Sequence, residues 1–367
     1  MKNKALVVGG GPAGASSALG LLRAGFDVTL REKSKKWTGR VCGAFLSPEA
    51  VFHLEELGLL SRALESGAVP VEKVLIRGAG IKPVDLDLGA GSGLAWPRKN
   101  LEEMLLAAVQ ERGGRVLRGL APEGNSPPQG GEMRATQEKS RAKEREGELV
   151  INAAGRFAGE EARASAGWFG WNAEFQGLDR KPGELSLHFY PGGYVGVLTF
   201  KEGQSNVCGL AYRGAGKKES IEEGAQRAMD LEPSLKELLR EGTRQNPWRM
   251  VGPLPFRASM RDGRGALPAG DAAAVGDPFM GEGIGRALGA GPLLLSCLGE
   301  LGGRAWNLEE LHGLYQTRWT QRYQRRLRTG FLARACLRSG FLTRLLLRPA
   351  LRGPRPLRKL LPLLHGA

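Results

Sequence analysis

Gly9, Gly11 and Gly14 form a G-x-G-x-x-G turn between the apolar run KALVV and the small-residue run PAGASSALGLLRAG. That spacing suits a pyrophosphate. The first glycine makes a tight turn, the second lets a phosphate approach the backbone, and the third lets helix and strand pack closely. Pro12 and Ala13 open the helix, whose positive end then faces the phosphates. Glu32, followed by Lys33, ends the next apolar run, eighteen residues after Gly14. A carboxylate there accepts hydrogen bonds from an adenosine ribose. The motif reads as a dinucleotide cradle and does not separate NAD from FAD.

A second chemical signal lies in PAGDAAAVGDPFMGEGIG, residues 268–285. Asp271, after Gly270, stands among small residues in a segment apolar enough to be buried. Burying a carboxylate without a partner is costly, so Asp271 needs a polar group to hold. The plain alternative is an aspartate that caps a helix in an apolar turn.

These residues need elements to position them. KALVVGG predicts a buried strand, PAGASSALGLLRAG a helix closed by Gly25, and DVTLREK a second strand, so residues 4–33 form a βαβ unit. Residues 98–114 place Leu101, Met104, Leu105 and Ala108 on one helical face. The stretch 122–148 is polar and ambiguous between helix and strand. ELVINAAG (148–155) reads as a buried strand, and 184–213 alternates as antiparallel strands do. Residues 283–301 return to a helix. The pattern is an α/β nucleotide-binding domain interrupted by a mostly antiparallel one, then a helical tail.

The Gly-rich turn, WPRKNLEEMLLAAV, LVINAAGR and ALPAGDAAAVGDPFMGEGIGRAL occur in the order found in the class A flavin monooxygenase and geranylgeranyl reductase superfamily, which the chain resembles over most of residues 1–300. The resemblance implies a Rossmann-like FAD-binding domain (1–75, 95–165 and 255–305). It is interleaved with a mostly antiparallel β-sheet substrate domain (76–94 and 166–254) and followed by a basic helical C-terminal segment (306–367). It also implies that Asp271 holds the ribityl chain of FAD. Backbone N–H groups from Gly281 to Ile284, Gly283 included, would face the flavin pyrimidine ring, with Pro278 beside it. A helix N-terminus there suits the negative charge of a reduced flavin. Arg98 matches an arginine that contacts FAD, with a solvated helix-start arginine as the alternative. GRVCG (39–43) resembles the loop that passes the flavin, which adds Arg40, Cys42 and Gly43. Cys42 reads equally well as a small buried apolar residue.

Two departures stand out. Ala153-Ala154-Gly155 replaces the usual Ala-Asp-Gly, and GGYVGVLTF keeps Tyr194 but has Gly196 where reductases carry a tryptophan. The Trp-x-Trp-x-Ile-Pro signature of flavin-dependent halogenases is also missing, since WFGW (168–171) has the wrong spacing. That argues against a halogenase.

No second G-x-G-x-x-G follows, so a separate NAD(P)H domain is not expected, and the resemblance implies NAD(P)H as a transient reductant. It leaves hydroxylation through a flavin hydroperoxide, slightly preferred, against ene-reduction of a C=C bond, which the Gly281-Glu282-Gly283 turn favours. A non-redox FAD-dependent cyclase is a third outcome. The substrate would be a hydrophobic small molecule of secondary metabolism: a polyketide, quinone or isoprenoid. No catalytic residue is assigned. Cys42, Pro278, Glu282 and His188 are candidates, although a lone strand histidine more often serves packing and Glu282 reads as a solvated helix-start carboxylate. Asp277 reads as a turn cap.

The chain has 367 residues and a formal net charge of +15. Its four cysteines (Cys42, Cys208, Cys297, Cys336) have neither metal-ligand nor disulfide-framework spacing, so no metal is expected. The N-terminus lacks a signal-like apolar core, which predicts a cytoplasmic protein. From Thr317 onward there are thirteen Arg and Lys and no acid, so the rest of the chain carries only +2. Leu/Phe clusters with single arginines in 331–364 suit an anionic membrane surface, or a helix covering the substrate domain with its arginines in solvent. Nucleic acid is not expected, for want of a binding module. Because the recognisable motifs end near residue 285, removing the chain after Thr329 is expected to leave FAD binding intact.

Overall fold

The computed structural model describes residues 3–37, 39–88, 92–119, 148–156, 167–200, 203–214, 219–257, 260, 265–302 and 307–351. The ambiguous stretch 122–148 lies outside them apart from its last residue. So does the tail beyond 351.

The βαβ unit is β1 (Lys4–Val8), α1 (Pro12–Arg23) and β2 (Asp27–Glu32). Then come β3 (Phe45–Leu46), α2 (Pro48–Glu56), α3 (Leu60–Glu65), β4 (Val69–Val71), β5 (Lys73–Gly78), β6 (Val84–Asp87) and β7 (Gly93–Ala95). The predicted helix at 98 is α4 (Arg98–Glu111), with Leu101, Met104, Leu105 and Ala108 buried, and β8 (Arg115–Arg118) follows it. The chain continues through β9 (Glu148–Asn152), β10 (Gly167–Gln176), β11 (Leu185–Tyr190), β12 (Gly193–Thr199) and β13 (Gln204–Arg213). Next are α5 (Ile221–Leu231), α6 (Pro233–Arg240), β14 (Thr243–Arg244), β15 (Arg249–Val251) and β16 (Leu267–Pro268). The helix expected over 283–301 is divided at Gly289 into α7 (Gly283–Leu288) and α8 (Ala290–Leu301). Two further helices, α9 (Leu308–Leu337) and α10 (Gly340–Leu351), complete the described chain.

A parallel sheet runs in the order β16-β9-β1-β2-β8. It is covered by α1, α4 and α8, which is why its strands are aliphatic. The second sheet, β14-β10-β13-β12-β11-β5-β6 with β15 on β10, is mostly antiparallel, and β3-β7-β4 is a small third sheet. The second sheet has two apolar faces. Leu185, Phe189, Tyr194, Leu198 and Leu210 point to one cluster, while Trp171, Tyr190, Val195, Val197 and Val207 point to another under α5 and α6. This period-two division follows from strand geometry.

The tail helix is not a separate body. Asn307 caps α9 by accepting from the Glu310 backbone N–H at 2.8 Å. Its buried stripe begins with Leu311, Tyr315, Trp319, Tyr323 and Leu327 in the core of the parallel-sheet half. It ends with Leu337 in the inner cluster of the second sheet.

Candidate functional site

The Gly-rich turn has the shape its spacing predicts. Gly9 adopts φ +106°, and a Cβ there would strike the Ala153 carbonyl; one on Gly14 would strike the Gly9 carbonyl. These two glycines bring β1, α1 and β9 together. Gly11 differs, since a Cβ on it would meet open space. Gly43, Gly155 and Gly283 also open onto empty space. Gly270 lies against Ala13, where an added Cβ would come within 2.6 Å of the alanine Cβ. The two motifs, more than 250 residues apart in sequence, are therefore in contact.

Glu32 is buried, and its carboxylate accepts from the Gly10 N–H at 2.7 Å and the Ser34 N–H at 2.9 Å. A carboxylate has about four acceptor sites, so capacity remains for a ribose. Lys33 beside it is exposed. Arg40 stands 3.9 Å from Glu32 and 3.6 Å from Glu102. Arg98 is not a solvated helix-start residue: its Nε donates to buried Glu102 at 2.9 Å, and one Nη lies 3.9 Å from Cys42 Sγ. The Cys42 carbonyl accepts from Asn206 on β13 at 3.0 Å, so this loop joins the two sheets.

Asp271 is paired twice, with Arg156 at 3.2 Å and with buried Arg286 of α7 at 3.3 Å. Arg286 also donates to the Ala274 carbonyl at 3.2 Å. Arg156 directly follows Ala154-Gly155, the place where the expected aspartate is missing. Farther along, Pro278 and Gly283 are exposed and Gly281 half-buried, while Ile284 faces the core.

Two buried acids bracket that turn. Asp277 accepts from the Phe279 N–H at 3.1 Å and lies 3.5 Å from Arg334. Burial pushes its carboxyl up to about 6, against the pull of Arg334. Glu282 is buried, contrary to the solvated carboxylate expected, and stands 3.7 Å from Arg326. Burial pushes it up to about 7; Arg326 and Arg286 oppose the rise and Glu49 adds to it. Arg326 is already committed to Glu49, to which it donates at 2.9 and 3.0 Å. Burial raises the Glu49 carboxyl, but His53 and Arg326 together hold it below its usual value. One arginine thus serves two carboxylates, and Glu282 is the one left protonated near neutrality.

His188 does not join this group. It lies on the opposite face of β11 from Phe189, closed in by Ser186 at 3.0 Å, Ser234 at 3.1 Å and Glu232 at 3.9 Å. Burial pushes its imidazole below the usual value. Its partners give it a structural role. Trp168 and Trp171 likewise face opposite sides of β10, in keeping with their spacing. Sequence reasoning missed Glu49, Arg156, Arg286, Arg326 and Arg334. The only signal in the chain was Arg156 beside the altered Ala-Ala-Gly.

The family model described as "FAD binding domain" matches residues 2–325. The chain belongs to that family. This flavoprotein is an FAD-dependent enzyme of the oxidoreductase kind, and its cradle fits the cofactor. Gly11 and Gly283 leave open space beside the backbone, and Glu32 and Asp271 are acids of the kind that would accept from ribose and ribityl hydroxyls. No curated protein matches the chain. Among solved structures, the flavin-dependent brominase Bmp2 is 14% identical with a TM-score of 0.75, covering 100% of this chain and 94% of that one. A geranylgeranyl bacteriochlorophyll reductase-like protein from Thermoplasma acidophilum is 19% identical with a TM-score of 0.70, covering 96% and 92%. PqsL of P. aeruginosa, solved in complex with 2-aminobenzoylacetate, is 15% identical with a TM-score of 0.71, covering 95% and 100%. At these identities the likeness is one of fold.

Proposed function

We propose that the flavoprotein hydroxylates an apolar small molecule (a polyketide, quinone or isoprenoid), using O₂ and a transiently bound NAD(P)H. The supporting observation is the wall facing the Pro278–Gly281 turn. Phe279 packs edge-on to Phe189 at 5.4 Å and to Tyr194 at 5.8 Å, and Phe45 lies against Gly281. Leu187, Leu198 and Leu210 extend the same face. Such a wall would exclude water and hold an apolar substrate by area.

Bound FAD supplies the electron-transfer and oxygen chemistry. Gly9, Gly11, Gly14, Glu32, Arg40 and Arg98 would hold its adenosine and phosphate end, and Asp271, paired with Arg156 and Arg286, its ribityl hydroxyls. Glu282 keeps a proton up to about pH 7 beside the turn assigned to the pyrimidine ring. Negative charge arriving there would meet a neutral acid rather than a carboxylate.

A second reading, ene-reduction, rests on Tyr194. Tyr194 stands on the same apolar wall, 5.8 Å ring to ring from Phe279, and burial raises its phenol well above the usual value, so it stays protonated there. Oxygen decides between the two. Hydroxylation requires substrate-stimulated NAD(P)H oxidation that needs O₂, with label from ¹⁸O₂ in the product. An anaerobic product with a saturated C=C bond establishes the reductase. Turnover without consumption of either co-substrate establishes a cyclase.

A further inference from the structure

We propose that the end of α9 and the start of α10 form a docking face for an anionic lipid surface. Of the ten large apolar side chains exposed among the described residues, five lie within fifteen consecutive positions: Phe331, Leu332, Phe341, Leu342 and Leu345. Leu332 and Phe341 are the most exposed of the ten, at 71% and 76%. Scattered apolar residues need no explanation, but a concentration of this kind does.

The exposure does not come from an undocked helix. Gly192 N–H donates to the Leu337 carbonyl at 2.8 Å, and Arg344 Nε to the Ala79 carbonyl at 2.7 Å. Thr343 is buried and its hydroxyl donates to the Ser339 carbonyl at 2.9 Å. Ala333, Arg334, Leu337 and Thr343 therefore face the protein, and the phenylalanines and leucines lie on the outer side.

Charge identifies the occupant. The last acid in the chain is Glu310, and exposed Arg325, Arg328, Arg338 and Arg344 accompany the apolar side chains. A segment that exposes apolar side chains and whose own sequence carries cations and no anion matches acyl chains under phosphate headgroups. A second copy related by a two-fold axis would bring arginines against arginines. Nucleic acid would leave the apolar side chains without a partner. No helix among the described residues is long and apolar enough to cross a membrane, so the contact is with the surface. The inference is independent of the reaction class.

The test is sedimentation of the full chain, with FAD bound, on phosphatidylcholine vesicles with and without phosphatidylglycerol. The expected result is binding to the anionic vesicles, weaker on the neutral ones, reduced by salt and retained in part at high salt. A Leu332→Asn/Phe341→Asn variant should bind at least about tenfold more weakly, because it removes the two largest exposed apolar contributions. Binding equal to wild type in that variant, or no sedimentation of wild type at low salt, overturns the proposal. A wild-type dimer that the variant converts to monomer without lipid assigns the face to a second copy and also overturns it. Duplex DNA that displaces the vesicles and binds the variant equally well does the same. Should the variant lose FAD or melt early, hydrogen exchange on wild type decides: vesicles must protect residues 331–345, and unchanged exchange there refutes the docking face.

Discussion

At the scale of single residues, Glu282 carries the clearest energetic statement. Its carboxyl binds a proton more tightly in the fold, at about 7, than at the ordinary value of 4.5. Between those values the native chain holds a proton that the unfolded chain has lost. The stability this supplies is complete below about pH 4.5 and is lost as pH rises through about 7. Asp277, raised from 3.8 to about 6, adds in the same direction over a lower window. A Glu282→Gln variant fixes the neutral form. Relative to wild type it should gain on the order of 3 kcal/mol in unfolding free energy between pH 5 and pH 8, measured in urea. A difference that stays constant across that range would mean that Glu282 is ionised throughout.

At the scale of elements, the same two acids explain what α9 does. Arg326 and Arg334 lie eight residues apart and reach Glu282 and Asp277, the two ends of the turn that carries Pro278 and Gly281. Arg334 also stacks on Phe256 at 3.6 Å. The tail helix clamps that turn. Truncation after Thr329, expected from the sequence to leave FAD binding intact, would remove Arg334 and the buried Leu337. An Arg334→Met variant should lose about 3 kcal/mol at pH 8, where Asp277 is left charged and unpaired, and clearly less at pH 5. Asp277→Asn added to it should restore most of the loss. Equal destabilisation at both pH values would reduce Arg334 to a packing residue. This clamp was illegible in the sequence because Arg326 and Arg334 sit among eleven other basic residues, and nothing in a helical spacing says which arginine finds an acid. The βαβ unit, α4 and β9 were legible, because local periodicity and a glycine turn determine them. β10 was not recognised as a strand, since GWFGWNAEFQ is buried on both faces and does not alternate. The break at Gly289 was hidden for another reason. Its surroundings, Tyr323 and His53, come from distant segments and leave no room for a Cβ.

At the scale of the whole molecule, the core of the parallel-sheet half and the inner core of the second sheet are joined by several elements. One is the loop at Cys42, whose carbonyl accepts from Asn206, and another is α9, which runs from one core to the other. FAD bound between them would contact the Gly-rich turn on one side and the turn beside Phe279 on the other, and so couple their unfolding. Free FAD at a hundred times its dissociation constant stabilises the native state by about 2.7 kcal/mol through mass action. The full chain stripped of flavin should accordingly melt several degrees lower than with FAD restored, and its two cores should melt more separately. Asp271→Asn sharpens the test. It keeps the side-chain shape but removes the charge that holds Arg156 and buried Arg286 and would accept from the ribityl hydroxyls. That variant should bind FAD at least about tenfold more weakly, the loss of a hydrogen bond to a charged group being worth ~1.5–3 kcal/mol, and should show correspondingly little shift with added FAD. A full thermal shift and unchanged flavin retention in Asp271→Asn would place the ribityl contact elsewhere, and a stripped protein that melts as one unit at the holoprotein temperature would show that the protein's own links couple the cores without FAD.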